Sequence, residues 1–322
     1  MKPVIVSGSR ADRFHLQPLI DKTGWEVIET LLDSMRDVIY YMGKRLEDAE
    51  MVVLLGDRYE IFAVAIAAYQ LGIPIAHLHG GERTDGSMDD AYRHCITKLS
   101  HLHFTATEEY RARVIQLGES PDRVFNVGAI RFDGWRKSSL KFLETFDRPV
   151  GLVAYNPHIE GEQEGIDALV EVINSRKDVY FMISAPTEEG CPLYAQLVDR
   201  CHRGHVAQTS MGDDFLDILS ECAFIIGNSS AGIIEAPHVK TPTINIGTRQ
   251  AGRVSGCSVF HVPADPGRIN DAIACCLEAD WGVIYDDLYY QGGAVDKIIE
   301  VIETYEHKQK TFYDCQPRDF YT

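Results

Sequence analysis

Phe224-Ile225-Ile226-Gly227-Asn228-Ser229-Ser230-Ala231-Gly232-Ile233-Ile234-Glu235 passes from an apolar strand into a helix with only Gly-Asn-Ser-Ser between them. A strand that turns into a helix at a glycine is the repeating unit of a parallel α/β sheet. It aims backbone N–H groups and the positive end of the helix dipole at the carboxyl edge of that sheet. Ser229 and Ser230 add two hydroxyl donors. Glu235 follows about one and a half turns into the helix, where a carboxylate can accept hydrogen bonds from ribose hydroxyls. The same residues also suit a purely structural turn, with Ser229 as N-cap and Gly232 as a packing glycine.

Working outward, the chain repeats this rhythm. Strands are expected at Val4–Ser7, Trp25–Leu32, Met51–Leu55, Pro74–Leu78, His103–Ala106 and Arg123–Val127. Helices are expected between them at Ala11–Lys22, Ser34–Asp48, Tyr59–Leu71, Asp89–Leu99 and Glu108–Leu117. Met51–Leu55 is apolar at every position, as in a strand covered on both faces. The pattern restarts near Thr145–Pro149, with strands at Val150–Ala154, Val179–Ser184, Phe224–Ile226 and Thr243–Ile246. Helices there are expected at Gly165–Asn174, Asp213–Cys222 and Ala231–Ala236. Two such series predict an α/β protein of two Rossmann-like domains, with parallel sheets facing a central cleft and ligands at the carboxyl ends of the strands.

At 322 residues the chain is long enough for about two domains. It is 45% apolar and 25% charged, which fits a globular protein, and no run approaches the roughly 18 apolar residues of a membrane span. With Lys+Arg 31 against Asp+Glu 48, the net charge of −17 excludes wrapping of nucleic acid or an anionic membrane. An anionic small ligand must therefore be held by a few placed cations and dipoles. The eight cysteines show no framework spacing and read as reduced, mostly buried thiols. With no signal peptide legible after Met1, the expected location is the cytoplasm.

The candidate chemistry clusters at strand ends in the first half. Gly8-Ser9-Arg10-Ala11-Asp12 is a second strand-to-helix turn, and its Arg10 suits a diphosphate. Asp57, after Gly56 and before Arg58, is a candidate base or helix N-cap. His77-Leu78-His79-Gly80-Gly81-Glu82 places two histidines on one expected strand face, with a glycine pair that permits close approach of a ligand. Asp89-Asp90 opens a helix. The histidines His77, His79, His94, His101 and His103 lack metal-ligand spacing, so no metal is expected.

In this order, GDRYE, IPIAHLHGGE, DDAYRHCITKLSHLHF, RVIQLGE-PDRVFNVG, IIGNSSAGIIEAP and TINIGTRQAGR resemble the UDP-N-acetylglucosamine 2-epimerases. The likeness is strongest to the hydrolysing branch of sialic-acid-type pathways, and Phe312-Tyr313-Asp314 is similar to the tail of that branch. The resemblance implies a GT-B-like fold with a shortened N-terminal domain. It implies boundaries at 1–146 and 147–305, with a helix at 306–322 packing back on the first domain. The implied activity is elimination of UDP across C1–C2 of a UDP-linked 2-acetamido sugar, then addition of water to give N-acetylmannosamine.

The implied catalytic residues are Asp57, His79, Glu82, Asp89 and His158. The implied nucleotide and diphosphate residues are Arg10, Arg58, Gly227, Asn228, Ser229, Ser230, Gly232, Glu235, Arg249 and Arg253. No cofactor is required, and a homodimer is implied by the resemblance alone. Three departures stand out. His79 occupies a position where many members carry Glu, and Asn156 one where they carry His, so that His158 becomes its substitute. The stretch between Arg10 and Asp57, which in the family bears a His loop beside the sugar, is short. A transferase on the same scaffold and a non-catalytic nucleotide-sugar binder are the competing expectations.

Overall fold

The computed structural model describes residues 2–30, 34–84, 88–139, 141, 143–155, 163–184, 192–202, 204–207, 214–283 and 285–315. Tight turns, apolar strands and capped helices alternate as Pro3–Ser7 (β1), Arg10–Thr23 (α1), Glu26–Glu29 (β2), Met35–Arg45 (α2), Met51–Leu55 (β3), Tyr59–Gln70 (α3), Ile75–Leu78 (β4), Met88–Leu99 (α4), Leu102–Thr105 (β5), Glu108–Gln116 (α5) and Val124–Asn126 (β6). The second series is Val150–Ala154 (β7), Gln163–Ser175 (α6), Tyr180–Ser184 (β8), Pro192–Arg200 (α7), Gly204–Ala207 (β9), Phe215–Leu219 (α8), Phe224–Gly227 (β10), Ala231–His238 (α9), Thr243–Ile246 (β11), Val259–Val262 (β12), Pro266–Glu278 (α10) and Ala294–Glu303 (α11).

The residues up to Trp135, together with those from Tyr289 onward, form one compact unit, and Arg136–Leu288 form the other. The first change of unit thus falls at 135/136 rather than 146/147. The return falls at 288/289 rather than after 305.

In the first unit the strand order is β2-β1-β3-β4-β5-β6, all parallel. The chain leaves β1 to one side and returns to place β3 on the other, so the sheet switches direction between β1 and β3. At such a point the two outgoing loops diverge and leave a crevice at the carboxyl edge. Here those loops begin at Gly8 and Gly56. In the second unit the order is β12-β11-β10-β7-β8-β9, again all parallel, and the switch lies between β7 and β10. The loops leaving that pair begin at Tyr155 and Asn228.

Each unit has its own apolar interior. In the first, Val4, Val6, Val52, Leu54 and Ile75 pack against α2 and α3 on one sheet face. Ile5, Met51, Val53, Ala76 and Phe104 pack against α1 and α11 on the other. Alternate residues of one strand thus fill opposite layers, which is why β3 is apolar at every position. In the second, Phe181, Phe224, Ile226 and Ile244 pack with Ile166, Leu169, Ile173, Ile269 and Ile273.

Several expectations are corrected. No helix occupies 306–315. The helix is α11 at Ala294–Glu303, and residues 306–315 carry no regular structure. Their polar groups bond to other elements instead of up a helix, as when Tyr313 N donates to Gly118 O at 3.0 Å. Residues 316–322 lie outside the described residues. Strand β2 ends at Glu29, before Leu31 and Leu32, which are also outside them. Helix α8 is only Phe215–Leu219, because the amides of Glu221 and Cys222 close i to i−3 turns. Among the described cysteines only Cys222 and Cys276 are buried, while Cys95, Cys257 and Cys275 are exposed. Among the described residues no helix is long and apolar enough to cross a membrane.

Ile298 in α11 is fully buried against the sheet of the first unit. Replacing it by alanine removes a branched side chain whose neighbours cannot fully close in. The expected loss is about 2–5 kcal/mol of stability, measured by urea denaturation.

Candidate functional site

In the first unit the candidate residues converge through one arginine. Arg93, on α4, is 3% exposed. One guanidinium nitrogen, Nη2, donates to the Asp57 carboxylate. The other, Nη1, donates to the His79 carbonyl at 2.7 Å and lies 3.8 Å from Glu82 Oε2. The second Glu82 oxygen, Oε1, is 2.8 Å from His79 Nδ1. A planar, always-charged group with fixed donors suits the task of fixing two carboxylates and a backbone oxygen at once. Asp57, His79 and Glu82 are thereby brought together. Arg93 was missed, although it lies inside the quoted DDAYRH motif, four residues after Asp89. A buried guanidinium one turn along from an expected catalytic carboxylate is the signal that reveals it.

Backbone geometry brings the histidine into this cluster. His79 has φ +61, a conformation non-glycine residues seldom adopt. It ends the strand alternation after Leu78, so His77 and His79 do not share a strand face. His77 points into the sheet interior and is completely buried, with Nε2 2.9 Å from Gly56 O and Nδ1 3.1 Å from Thr97 Oγ1. Burial pushes its pKa down to about 3, against the opposing bond to Gly56 O. It is a neutral polar strut rather than a catalytic group.

His79 Nε2 is buried and has no hydrogen-bond partner among the described residues. When Nδ1–H donates to the Glu82 carboxylate, Nε2 of the neutral ring carries the lone pair. Gly81 follows at φ +80, with its backbone so close to the Tyr110 carbonyl that no Cβ fits.

The remaining candidates of this unit are Arg10, Arg58 and Asp89. Arg58 is the N-cap residue of α3 and pairs with Glu60 Oε1 at 3.1 Å, so Asp57 is not the cap. Asp89 is half-buried in the first turn of α4, and its neighbour Asp90 accepts the Thr84 amide at 2.7 Å. The β1 turn contributes Ser9, whose Oγ caps α1 by accepting Asp12 N at 3.1 Å, and Asp12, whose Oδ2 accepts Gly8 N at 3.2 Å. Burial raises the Asp12 pKa to about 6. The Ser9 bond and the Arg58 charge oppose that rise, and the Asp57 charge adds to it. Arg10 opens α1, but its side chain lies outside the described residues, as do Asn156 and His158.

In the second unit the Gly-Asn-Ser-Ser turn leaves the switch point of the sheet. Gly227 has φ +149 and packs so tightly on Ala154 O that only glycine fits. The amides of Asn228 and Ser229 both donate to that carbonyl at 3.2 Å. They are therefore not free for an anion, because the end of β7 already uses them. Ser230, not Ser229, is the N-cap residue of α9, and its side chain makes no capping bond. Ser229 Oγ instead accepts Ala231 N at 3.3 Å.

Asn228 O receives Arg249 Nη1 at 3.0 Å and Gln250 Nε2 at 2.8 Å, which ties the loop after β11 to this turn. Gln250 is buried and was also missed, although it stands between the two arginines of GTRQAGR. Glu235 is 6% exposed on α9, and Arg253 is half-buried. Gly232 packs against Thr243, whose methyl group occupies the space of a Cβ.

The fold and both sites define a GT-B-like α/β protein with a carboxylate–arginine–histidine cluster in one unit and a Ser-Ser helix turn in the other. The chain belongs to the UDP-N-acetylglucosamine 2-epimerase family, whose model matches residues 14–303. It is 33% identical to polysialic acid biosynthesis protein P7 of Escherichia coli over 290 residues, 84% of this chain and 73% of that one. It is 37% identical to a GDP/UDP-N,N′-diacetylbacillosamine 2-epimerase (hydrolyzing) of Campylobacter jejuni over 222 residues, 64% of this chain and 58% of that one. Its fold is similar to the crystal structure of UDP-GlcNAc 2-epimerase from Neisseria meningitidis bound to UDP-GlcNAc. That match has a TM-score of 0.79 at 18% identity, over 95% of this chain and 100% of that one.

Two outcomes follow from this geometry. Replacing Arg93 by Met leaves the buried Glu82 and half-buried Asp57 carboxylates without their cation and is expected to destabilise the protein by about 3–5 kcal/mol, measured by denaturant titration. The second concerns His77, whose folded pKa of about 3 lies below the ordinary 6.5. Between those values the unfolded chain binds the extra proton, so this stability is present above pH 6.5 and is lost as pH falls towards 3. His77→Gln should flatten that part of the stability–pH slope by about one proton, read from urea midpoints across this range.

Proposed function

We propose that the protein is a hydrolysing UDP-N-acetylglucosamine 2-epimerase that releases UDP and free N-acetylmannosamine. The observation that carries this reading is the Arg93-centred cluster, which holds Asp57, Glu82 and His79 at one place, with His79 Nε2 buried and without a partner among the described residues. Elimination breaks the C2–H and C1–O bonds and needs a base at C2, a proton donor for the departing oxygen and stabilisation of phosphate charge. Hydration of the resulting glycal returns a proton to C2 from the opposite face and places a water oxygen on C1. Two separate acid–base groups serve these steps, and Asp57 and the His79–Glu82 pair are the groups assigned. Asp89, four residues before Arg93 on α4, is proposed as a further catalytic carboxylate, and His158 is proposed from its sequence position alone.

The nucleotide is assigned to the second unit. Ser229 and Ser230 offer hydroxyls and a helix N-terminus to the diphosphate, Glu235 accepts the ribose hydroxyls, and Arg249 and Arg253 supply cations. Arg10 and Arg58 are proposed to add diphosphate contacts. The name of the Campylobacter relative supports the hydrolysing branch and favours a second substrate, a UDP-linked N,N′-diacetylbacillosamine, on the same site.

The test is incubation with each UDP-sugar in heavy water. Free UDP together with a 2-acetamido sugar deuterated at C2 is expected. UDP release without deuterium at C2 overturns the epimerase reading, and a glycosidic product formed only with an added acceptor favours a transferase. In Asp57→Asn, turnover should fall by about 10²–10⁴-fold while UDP affinity stays within about threefold, measured by kinetics and calorimetry.

A further inference from the structure

Helix α4 reaches the candidate cluster with one end and a buried charge cluster with the other. Its first half carries Arg93. Its last turn carries Thr97, which bonds His77, and Lys98. The final carbonyls of a helix have no partner within it. Here Lys310 Nζ donates to one of them, Thr97 O, at 3.2 Å, beside the Ser100 amide at 3.1 Å, and also to the carbonyl of Ser100, the first residue past the helix. The same ammonium pairs with Glu119 Oε2 at 2.7 Å. Glu119 is 3% exposed, and it also holds Lys98 Nζ at 2.5 Å through Oε1 and His103 Nε2 at 3.1 Å. Burial pulls the Lys310 pKa down to about 8, against the charge of Glu119, so the group remains a cation at neutral pH. Burial acts to raise the Glu119 pKa, but His103 and Lys310 outweigh it and hold the carboxyl down to about 2.

Lys310 belongs to residues 306–315, which lie across the first unit as an irregular strap. Tyr313 N donates to Gly118 O at 3.0 Å, and Tyr313 and Cys315 pack on Val114, Ile115 and Val124. A plain C-terminal cap needs one cation or a glycine. A buried carboxylate shared by two lysines and a histidine is far more than that.

We propose that Lys310 is a positioning residue: the strap clamps the carboxyl end of α4 and so fixes where Arg93 and Thr97 hold the Asp57–His79–Glu82 cluster and His77. The inference rests on the reading of that cluster as the reacting end of the molecule. Its test has one readout that does not depend on that reading. In the full-length protein, Lys310→Met is expected to raise amide hydrogen exchange across residues 88–99 by about tenfold or more, while residues 231–238, in the other unit, keep their protection.

In the same variant kcat should fall about tenfold with KM within about twofold, and Lys310→Arg should restore most of both. Tyr313→Ala, which loosens the strap and leaves every buried charge in place, should change exchange in the same direction, and it decides the matter if Lys310→Met does not fold. Unchanged exchange in α4 overturns the clamp, as does loosened exchange with an unchanged kcat. Absence of turnover in the wild type would instead overturn the proposed function, and the exchange result alone would then decide the clamp.

Discussion

Arg93 sets a guanidinium, 3% exposed, among the Asp57 carboxylate, the Glu82 carboxylate and the His79 carbonyl. A charge so far from water persists only if its partners are close and correctly directed. That requirement explains several features of the first unit at once. Gly56 turns the chain so that Asp57 leaves β3 towards α4, and His79 adopts φ +61 so that its carbonyl meets the guanidinium while its ring meets Glu82. The left-handed backbone at His79 is strain of the kind that persists where its surroundings over-determine it.

The second unit solves a different problem on a differently ordered parallel sheet, with three strands on each side of its switch point instead of two and four. Its switch-point turn spends two amides on the Ala154 carbonyl and secures Asn228 O with Arg249 and Gln250. Those four hydrogen bonds hold the turn from two sides. With a net charge of −17 spread over the chain, local placement of arginines matters more than the overall balance. A few directed cations can create a local positive potential that the total charge does not reveal.

Most strands and helices were legible because their physics is local. Period-2 and period-3.6 patterns, glycine stops such as Gly72 at φ +71, and capping serines such as Ser9 act within a few residues. The shared strand face of His77 and His79 was misread because a positive φ at a histidine has no compositional signal. Over 306–315 an irregular segment stands in place of the helix that the resemblance implies. Lys308, Gln309 and Lys310 suit a helix by propensity, but Lys310 and Tyr313 find partners on α4 and Gly118 that no local rule contains. Arg93 and Gln250 escaped notice because a polar residue in a motif looks solvated until its burial is known.

By itself the sequence determined the parallel α/β class, the two successive series of strands and helices, the strand-end motifs and the family resemblance they carry. These follow from short-range periodicity and turn chemistry. Only the tertiary structure decided that Asp57, His79 and Glu82 meet around Arg93, that His77 is a buried neutral strut, that the Asn228 and Ser229 amides are already used, and that residue 310 closes the end of α4. Each of these is a contact between residues far apart in the chain. Its free energy exists only once burial has removed water as the competing partner.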